Sequence, residues 1–96
     1  MLKLEKSMEY NLEFSAEAEI ELHTILCYFE ALEIADKFKT EFHAELTQIQ
    51  ENPFQYQVRY RDVRIGHLAR FKYSIHFFVD EKSIIVLRIL NQAQDY

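Results

Sequence analysis

Residues 71–90 read FKYSIHFFVDEKSIIVLRIL, two apolar runs on either side of the charged turn Asp80-Glu81-Lys82. Tyr73, Ile75, Phe77 and Val79 alternate with Lys72, Ser74, His76 and Phe78, the period of two that sets one face of a strand on a core. The second run, from Ile84 to Leu90, is almost continuously apolar and β-branched. Simple alternation puts Ile84, Val86, Arg88 and Leu90 on one face and Ile85, Leu87 and Ile89 on the other. With both faces mostly apolar, it reads as a central strand rather than an edge. An isolated hairpin is marginal in water, so a second layer must cover it.

The preceding half of the chain supplies that layer. Tyr10, Leu12 and Phe14 alternate with Glu9, Asn11 and Glu13, a short strand. Ser15 stands at a helix N-cap position, with Glu17 and Glu19 in the first turn where the helix dipole favours acids. Ala18, Leu22, Ile25, Phe29 and Leu32 then recur at helical spacing, and a second stripe runs Ala35, Phe38, Phe42, Leu46, Ile49. No Gly or Pro separates the two stripes. A break near Ala31–Glu33 gives an antiparallel helical hairpin; one long bent helix is the alternative. Asn52-Pro53 stops the second stripe. Phe54 to Tyr60 reads as a connector, and Val63 and Ile65 as a strand in which Gly66 marks a bulge or a close backbone approach. The expected fold is α+β in the order β-α-α-β-β-β: an N-terminal strand, the helical hairpin, then a three-stranded antiparallel sheet. Residues 1–7 read as an N-terminal extension, or else Leu2 and Leu4 lengthen the first strand. Residues 8–96 read as one domain.

Composition narrows the function classes. The chain has 96 residues, 49% of them hydrophobic, enough for a single core. There is no apolar run long enough for a membrane span, no signal-peptide pattern, and a single cysteine, Cys27. These features fit a cytoplasmic protein. The net charge of −5 is uneven: twelve acidic residues against four Lys up to Asn52, then seven Lys and Arg against four acidic residues. An acidic chain overall argues against direct nucleic-acid binding, which rests on neutralising phosphates. A single glycine rules out a glycine-rich phosphate loop.

Candidate chemistry is sparse. His23, His43, His67 and His76 show no metal-ligand spacing, and no base is evident for Cys27, which reads as a core or half-buried thiol. Glu17 and Glu21, and Glu41 and Glu45, lie four residues apart on what read as solvated helix faces. The basic residues are more informative. Arg64, Arg70, Lys72 and Arg88 lie on or beside the strands, and Lys72, Ser74, His76 and Phe78 share the sheet face away from the helices by alternation. If Arg88 joins them, that face mixes cations with apolar groups, a surface suited to a peptide or a phosphate backbone. Arg64, Arg70, Lys72, His76, Phe78 and Arg88 are therefore the candidate partner- or target-binding residues.

The run FSAEAEIEL at 14–22, a helical hairpin ending in ENP at 51–53, a VR pair, the 71–90 hairpin and a trailing Asp95 together resemble the RelE/ParE superfamily of type II toxin–antitoxin toxins, nearer to its ParE-like plasmid-stabilisation branch. The motifs are short, but their order spans residues 8–95. The resemblance implies a RelE/ParE-like fold, a cognate antitoxin that wraps the toxin, no cofactor and no metal. It implies DNA gyrase as the target of ParE-like members and ribosome-dependent mRNA cleavage for RelE-like ones. Lys72 stands where the family commonly has proline, Asn91 where it has His, and Gln94 where it has Arg. Loss of terminal cations weakens the nuclease reading, because phosphodiester cleavage needs positioned acids, bases and cations, whereas inhibition by binding does not. The leading expectation is a ParE-like toxin acting on gyrase. The alternatives are a RelE-like endoribonuclease using Arg64, Arg70, Lys72 or Arg88 with His76, and a non-toxic interaction module of the same fold.

Overall fold

In the computed structural model, which describes residues 10–92, two helices pack on one face of a five-stranded sheet. The elements are β1 (Asn11–Phe14), α1 (Ala16–Ala31), α2 (Ala35–Glu51), β2 (Val58–Tyr60), β3 (Val63–His67), β4 (Tyr73–Asp80) and β5 (Ser83–Asn91). The expectations about residues 1–7 and about Gln94 and Asp95 lie outside the described residues. The α+β class and the helical hairpin match the sequence reading; the three-stranded antiparallel sheet does not. The sheet order is β1-β5-β4-β3-β2, and β1 pairs with β5 in parallel. The helical hairpin carries the chain across the sheet, so the first strand and the last become neighbours and β5 lies inside the sheet. The supposed connector also contributes a strand, since Val58–Tyr60 folds back on β3 as a short edge.

The helix break comes from a residue with no sequence signal for it. Glu33 takes a left-handed backbone conformation, φ 62°. The Glu33 N–H donates to the Glu30 carbonyl and the Ile34 N–H to the Phe29 carbonyl, both at 3.0 Å. This is a Schellman closure, in which the position after the C-cap is usually glycine. Glutamate holds it against the Cβ penalty of that region, about 1–2 kcal/mol. Glu33→Gly is accordingly expected to raise the melting temperature by about 4 °C or more; thermal unfolding followed by circular dichroism measures it, and an unchanged or lower midpoint would show that the turn carries no such strain.

At the other end of α1, Ser15 caps the helix as its sequence position indicates: its hydroxyl accepts from the Ala18 N–H at 3.0 Å. It also donates to the Leu87 carbonyl at 2.7 Å, which ties the start of α1 to β5. All five residues of the α2 stripe are buried. Phe29, Phe38, Phe42, Phe71 and Tyr73 form an aromatic cluster between helices and sheet, with Phe38 at 5.1 Å from Phe29 and 5.3 Å from Phe71 between ring centroids. Gly66 marks a close approach. A Cβ there would lie 2.8 Å from the Glu45 carboxylate and 3.0 Å from the Tyr56 ring, and the Tyr56 hydroxyl donates to that same carboxylate at 2.7 Å. Burial and then Glu45 push the Tyr56 hydroxyl far above the usual tyrosine range.

A β-bulge overturns the simple alternation in β5. Phe77 pairs with Val86, but His76 pairs with Arg88, so Leu87 is the extra residue. Ile84 and Val86 face the helices before the bulge and Ile89 after it, all at most 2% exposed. Without the bulge Ile89 would point out and Arg88 in. The extra residue keeps the cation off the core.

Candidate functional site

Strand β5 is longer than the neighbour on its outer edge. Pairing with β1 covers Ser83 to Val86, while β5 runs on to Asn91. Helix α1 passes beside the part of β5 that lies beyond β1, where no other described strand pairs with its outer edge, and leaves a groove. One lobe, about 590 Å³, is lined by Ile20, Glu21, Thr24, Arg88 and the end of β5. The other, about 550 Å³, continues past Tyr28 to Arg70 and Lys72. The lobes share Thr24, Ile25, Tyr73 and Asn91, so they form one continuous channel.

The composition of α1 explains the apolar part of the groove. Only Ala18, Ile25 and Phe29 of this helix are buried, yet Ile20 (66% exposed), Tyr28 (58%) and, just past its end, Leu32 (51%) stay in solvent. Ile20, Thr24 and Tyr28 follow one another a turn apart, so their side chains line one ridge. A helix apolar beyond its core stripe is more than its own domain needs to cover. Among the described residues, three cations, Arg70, Lys72 and Arg88, and one acid, Glu21, line the groove.

That acid is engaged. Glu21 Oε1 accepts from the Ile89 N–H at 2.7 Å, and Oε2 accepts from Arg88 Nε at 2.7 Å and pairs with the same guanidinium at 2.5 Å. The hydrogen bond to Glu21 raises the Arg88 pKa above its ordinary value. Glu21 is therefore a member of the site and not part of a solvated helix face. Its partners lie 67 and 68 residues away in sequence, so local spacing held no signal for it.

The six residues singled out in the sequence do not converge. Arg70, Lys72 and Arg88 line the groove. The Arg70 backbone N–H also donates to Glu41 at 2.6 Å. Arg64 faces the helix side with its register partner Phe77; its guanidinium donates to the Tyr56 carbonyl at 2.5 Å and lies 5.0 Å from the Phe54 ring centre. His76 is on the opposite sheet face, 0% exposed, with Nδ1 2.9 Å from the Tyr60 hydroxyl. Buried Ser74 lies on that face too, its hydroxyl 2.7 Å from His67 Nδ1. Phe78, half-buried, pairs with Ile85 near the turn. The open mixed face expected from alternation is thus closed at its centre, and the mixture of cations and apolar groups lies instead along α1. Cys27 is another departure. It is exposed, with Sγ 3.6 Å from His23 Nε2, a contact that the four-residue spacing on α1 could have indicated. Among the described residues, no group of three or more His, Cys, Asp or Glu is placed to hold a metal ion. No described helix is long and apolar enough to cross a membrane.

The family model for the ParE toxin of the type II toxin–antitoxin system parDE matches residues 12–96. The chain belongs to the ParE toxin family. Among solved structures, this ParE-family chain is similar to a chain of the chromosomal ParDE toxin–antitoxin system from P. aeruginosa, with 26% sequence identity, a TM-score of 0.72, and coverage of 88% of this chain and 97% of that one. No curated protein sequence matches it. Family membership accounts for the fold, with a chain of that ParDE system of almost the same extent superimposing on it. The expected antitoxin partner gains support from a neighbour that is itself part of a toxin–antitoxin system.

Proposed function

We propose that this ParE-family chain is a toxin neutralised by an antitoxin segment lying in the α1–β5 groove, and that it acts by binding DNA gyrase rather than by cutting RNA. The observation that carries the antitoxin reading is the groove itself: an exposed helix ridge of Ile20, Thr24 and Tyr28, a strand edge beyond β1 that no described strand covers, and, among the described residues, three cations beside Glu21. A partner segment that carries apolar and acidic side chains buries the first, pairs with the second and neutralises the third.

The preference for binding over ribonuclease action is supported by the side chains a nuclease would need. His76 is buried, and Arg64 is engaged with Tyr56 and Phe54. General acid–base cleavage requires a base within reach of the substrate's 2′-hydroxyl and cations around the phosphate. The candidate groups are dispersed over two sheet faces, which suits that chemistry poorly. Inhibition of gyrase asks only for a complementary surface. Plasmid stabilisation follows as the physiological role if the toxin outlives its antitoxin.

Induced expression tests this reading. The chain alone is expected to arrest growth with double-strand breaks and intact messages, and co-expression of the adjoining small reading frame is expected to relieve the arrest. Cleaved messages would replace the gyrase assignment with ribonuclease action. Absence of arrest would leave a non-toxic interaction module.

A further inference from the structure

We infer that Glu21 occupies the place of a partner's carboxylate: an acidic side chain on an extended, otherwise apolar segment displaces Glu21 from Arg88 and from the Ile89 N–H when that segment settles along β5. The inference rests on the reading of the groove as the antitoxin site and goes beyond it by naming the chemistry of the occupant and the internal group with which it competes.

Three donors converge at one point of the groove, the Ile89 N–H and two guanidinium nitrogens of Arg88, and all three are met by the one carboxylate of Glu21. The backbone donor is the important one. Pairing with β1 ends at Val86, and an unpaired edge is a template for another strand unless something blunts it. Ser15 blunts the first position beyond β1 by donating to the Leu87 carbonyl, and Glu21 blunts the next by accepting from Ile89. An inward-reaching charged side chain on an open edge is a known device against unwanted pairing, but here it sits inside a groove whose described lining also carries Arg70, Lys72 and Arg88 beside apolar side chains.

A segment entering that groove excludes water, and buried donors left without acceptors are costly. Its backbone can supply an acceptor for Ile89 only if Glu21 moves aside, and Arg88 then needs another anion. A carboxylate on the entering segment meets both requirements. The lining favours it: with Glu21 gone the charged groups among the described lining residues are Arg70, Lys72 and Arg88, with Glu17 acting on Arg88 from one turn earlier in α1 and Glu41 held at the Arg70 N–H. Glu21 can leave at low cost. It is a helix side chain 21% exposed, and Arg88 is 46% exposed, so the pair is partly screened by water before binding.

The experiment uses two labelled hexapeptides, acetyl-Thr-Val-Glu-Val-Ile-Thr-amide and its counterpart with Gln in place of Glu. Affinity is read by fluorescence anisotropy, and the site by amide shifts of the ¹⁵N-labelled chain. The acidic peptide is expected to bind about tenfold tighter than the amide peptide, as one charge-assisted hydrogen bond would give, with the Ile89 amide among the signals that move most. Glu21→Ala is expected to tighten the acidic peptide by about tenfold, and Glu21→Gln by less, because the amide still accepts from Ile89. Adding Arg88→Ala to Glu21→Ala should abolish the preference for the acidic peptide. Melting curves of each variant confirm that the fold is retained, and the glutamine variant, which keeps the size of the side chain, carries the test if the alanine variant does not fold. Equal affinity for the two peptides, no gain on replacing Glu21, or no binding to any variant at millimolar peptide each overturns the inference. Co-purification of the antitoxin with groove variants decides the underlying reading separately. If a cation placed on the α1 ridge abolishes co-purification while the peptides show no Glu21 dependence, the groove stands and the displacement of Glu21 falls.

Discussion

Phe38→Ala is expected to cost about 3–5 kcal/mol of stability. Phe38 is wholly buried. Its ring lies 5.1 Å from Phe29 on α1, 5.5 Å from Phe42 on its own helix, 5.3 Å from Phe71 before β4 and 6.1 Å from Tyr73 within β4, centroid to centroid. It is thus the point at which both helices and the central hairpin meet. Truncation leaves a cavity that four neighbouring rings cannot fill by rotating, and edge-to-face contacts of roughly 0.5–1.5 kcal/mol each disappear with it. Domains of this size have about 5–15 kcal/mol in total, so the variant should melt on the order of 20 °C lower. Urea unfolding measures the loss directly, as a lower midpoint at unchanged slope. A change below about 1 kcal/mol would mean that the cluster relaxes around the void and does not anchor the helices to the sheet.

Tyr28→Arg should have the opposite profile: a loss of about 30-fold or more in antitoxin affinity with stability changed by no more than about 0.5 kcal/mol. Tyr28 is 58% exposed and rests against Phe29, with ring centroids 5.3 Å apart, so its removal opens little of the core. It lines the groove beside Arg70 and Lys72. A fourth cation there removes apolar area from the ridge and adds repulsion to the others, while an acidic partner segment gains only a screened contact at the rim. Ile20→Arg, two turns away on the same ridge, should behave alike, which separates a groove effect from the loss of one tyrosine. The measurement is co-purification of the antitoxin with each variant, followed by a titration. Retention of full affinity in both variants would remove the groove as the antitoxin site.

The two predictions differ because α1 has two kinds of apolar residue that its sequence does not distinguish. Ile25 and Phe29 support the fold; Ile20 and Tyr28 are available to a partner. The stripe Ala18, Leu22, Ile25, Phe29, Leu32 was legible as a helix face, but which neighbours of that stripe would be covered depended on how far β1 extends along β5. Because β1 ends opposite Val86, α1 overhangs an unpaired strand edge and its ridge stays open. Chain spacing alone cannot give the length of one strand relative to another that is some seventy residues away.

Much of the local structure was nonetheless determined by the sequence by itself. The α2 stripe, the Ser15 cap and the stop at Asn52-Pro53 depend on interactions within a few residues or on one face of one element, and periodicity and side-chain chemistry specify those; Gly66 and the mostly apolar faces of β5 marked a close approach or bulge and an inner strand without naming the segments that meet them. The order and spacing of its motifs also placed the chain in the right toxin superfamily. Only the tertiary structure decided the rest. It placed β1 in parallel beside β5, moved Arg88 out of the core by a single bulged residue, closed the sheet face around His76, and brought Glu21 to Arg88 and the Ile89 N–H. Each of these is a contact between segments far apart in sequence, settled by how the whole chain buries its apolar area and satisfies its backbone donors at once. The groove between α1 and β5 depends on such contacts.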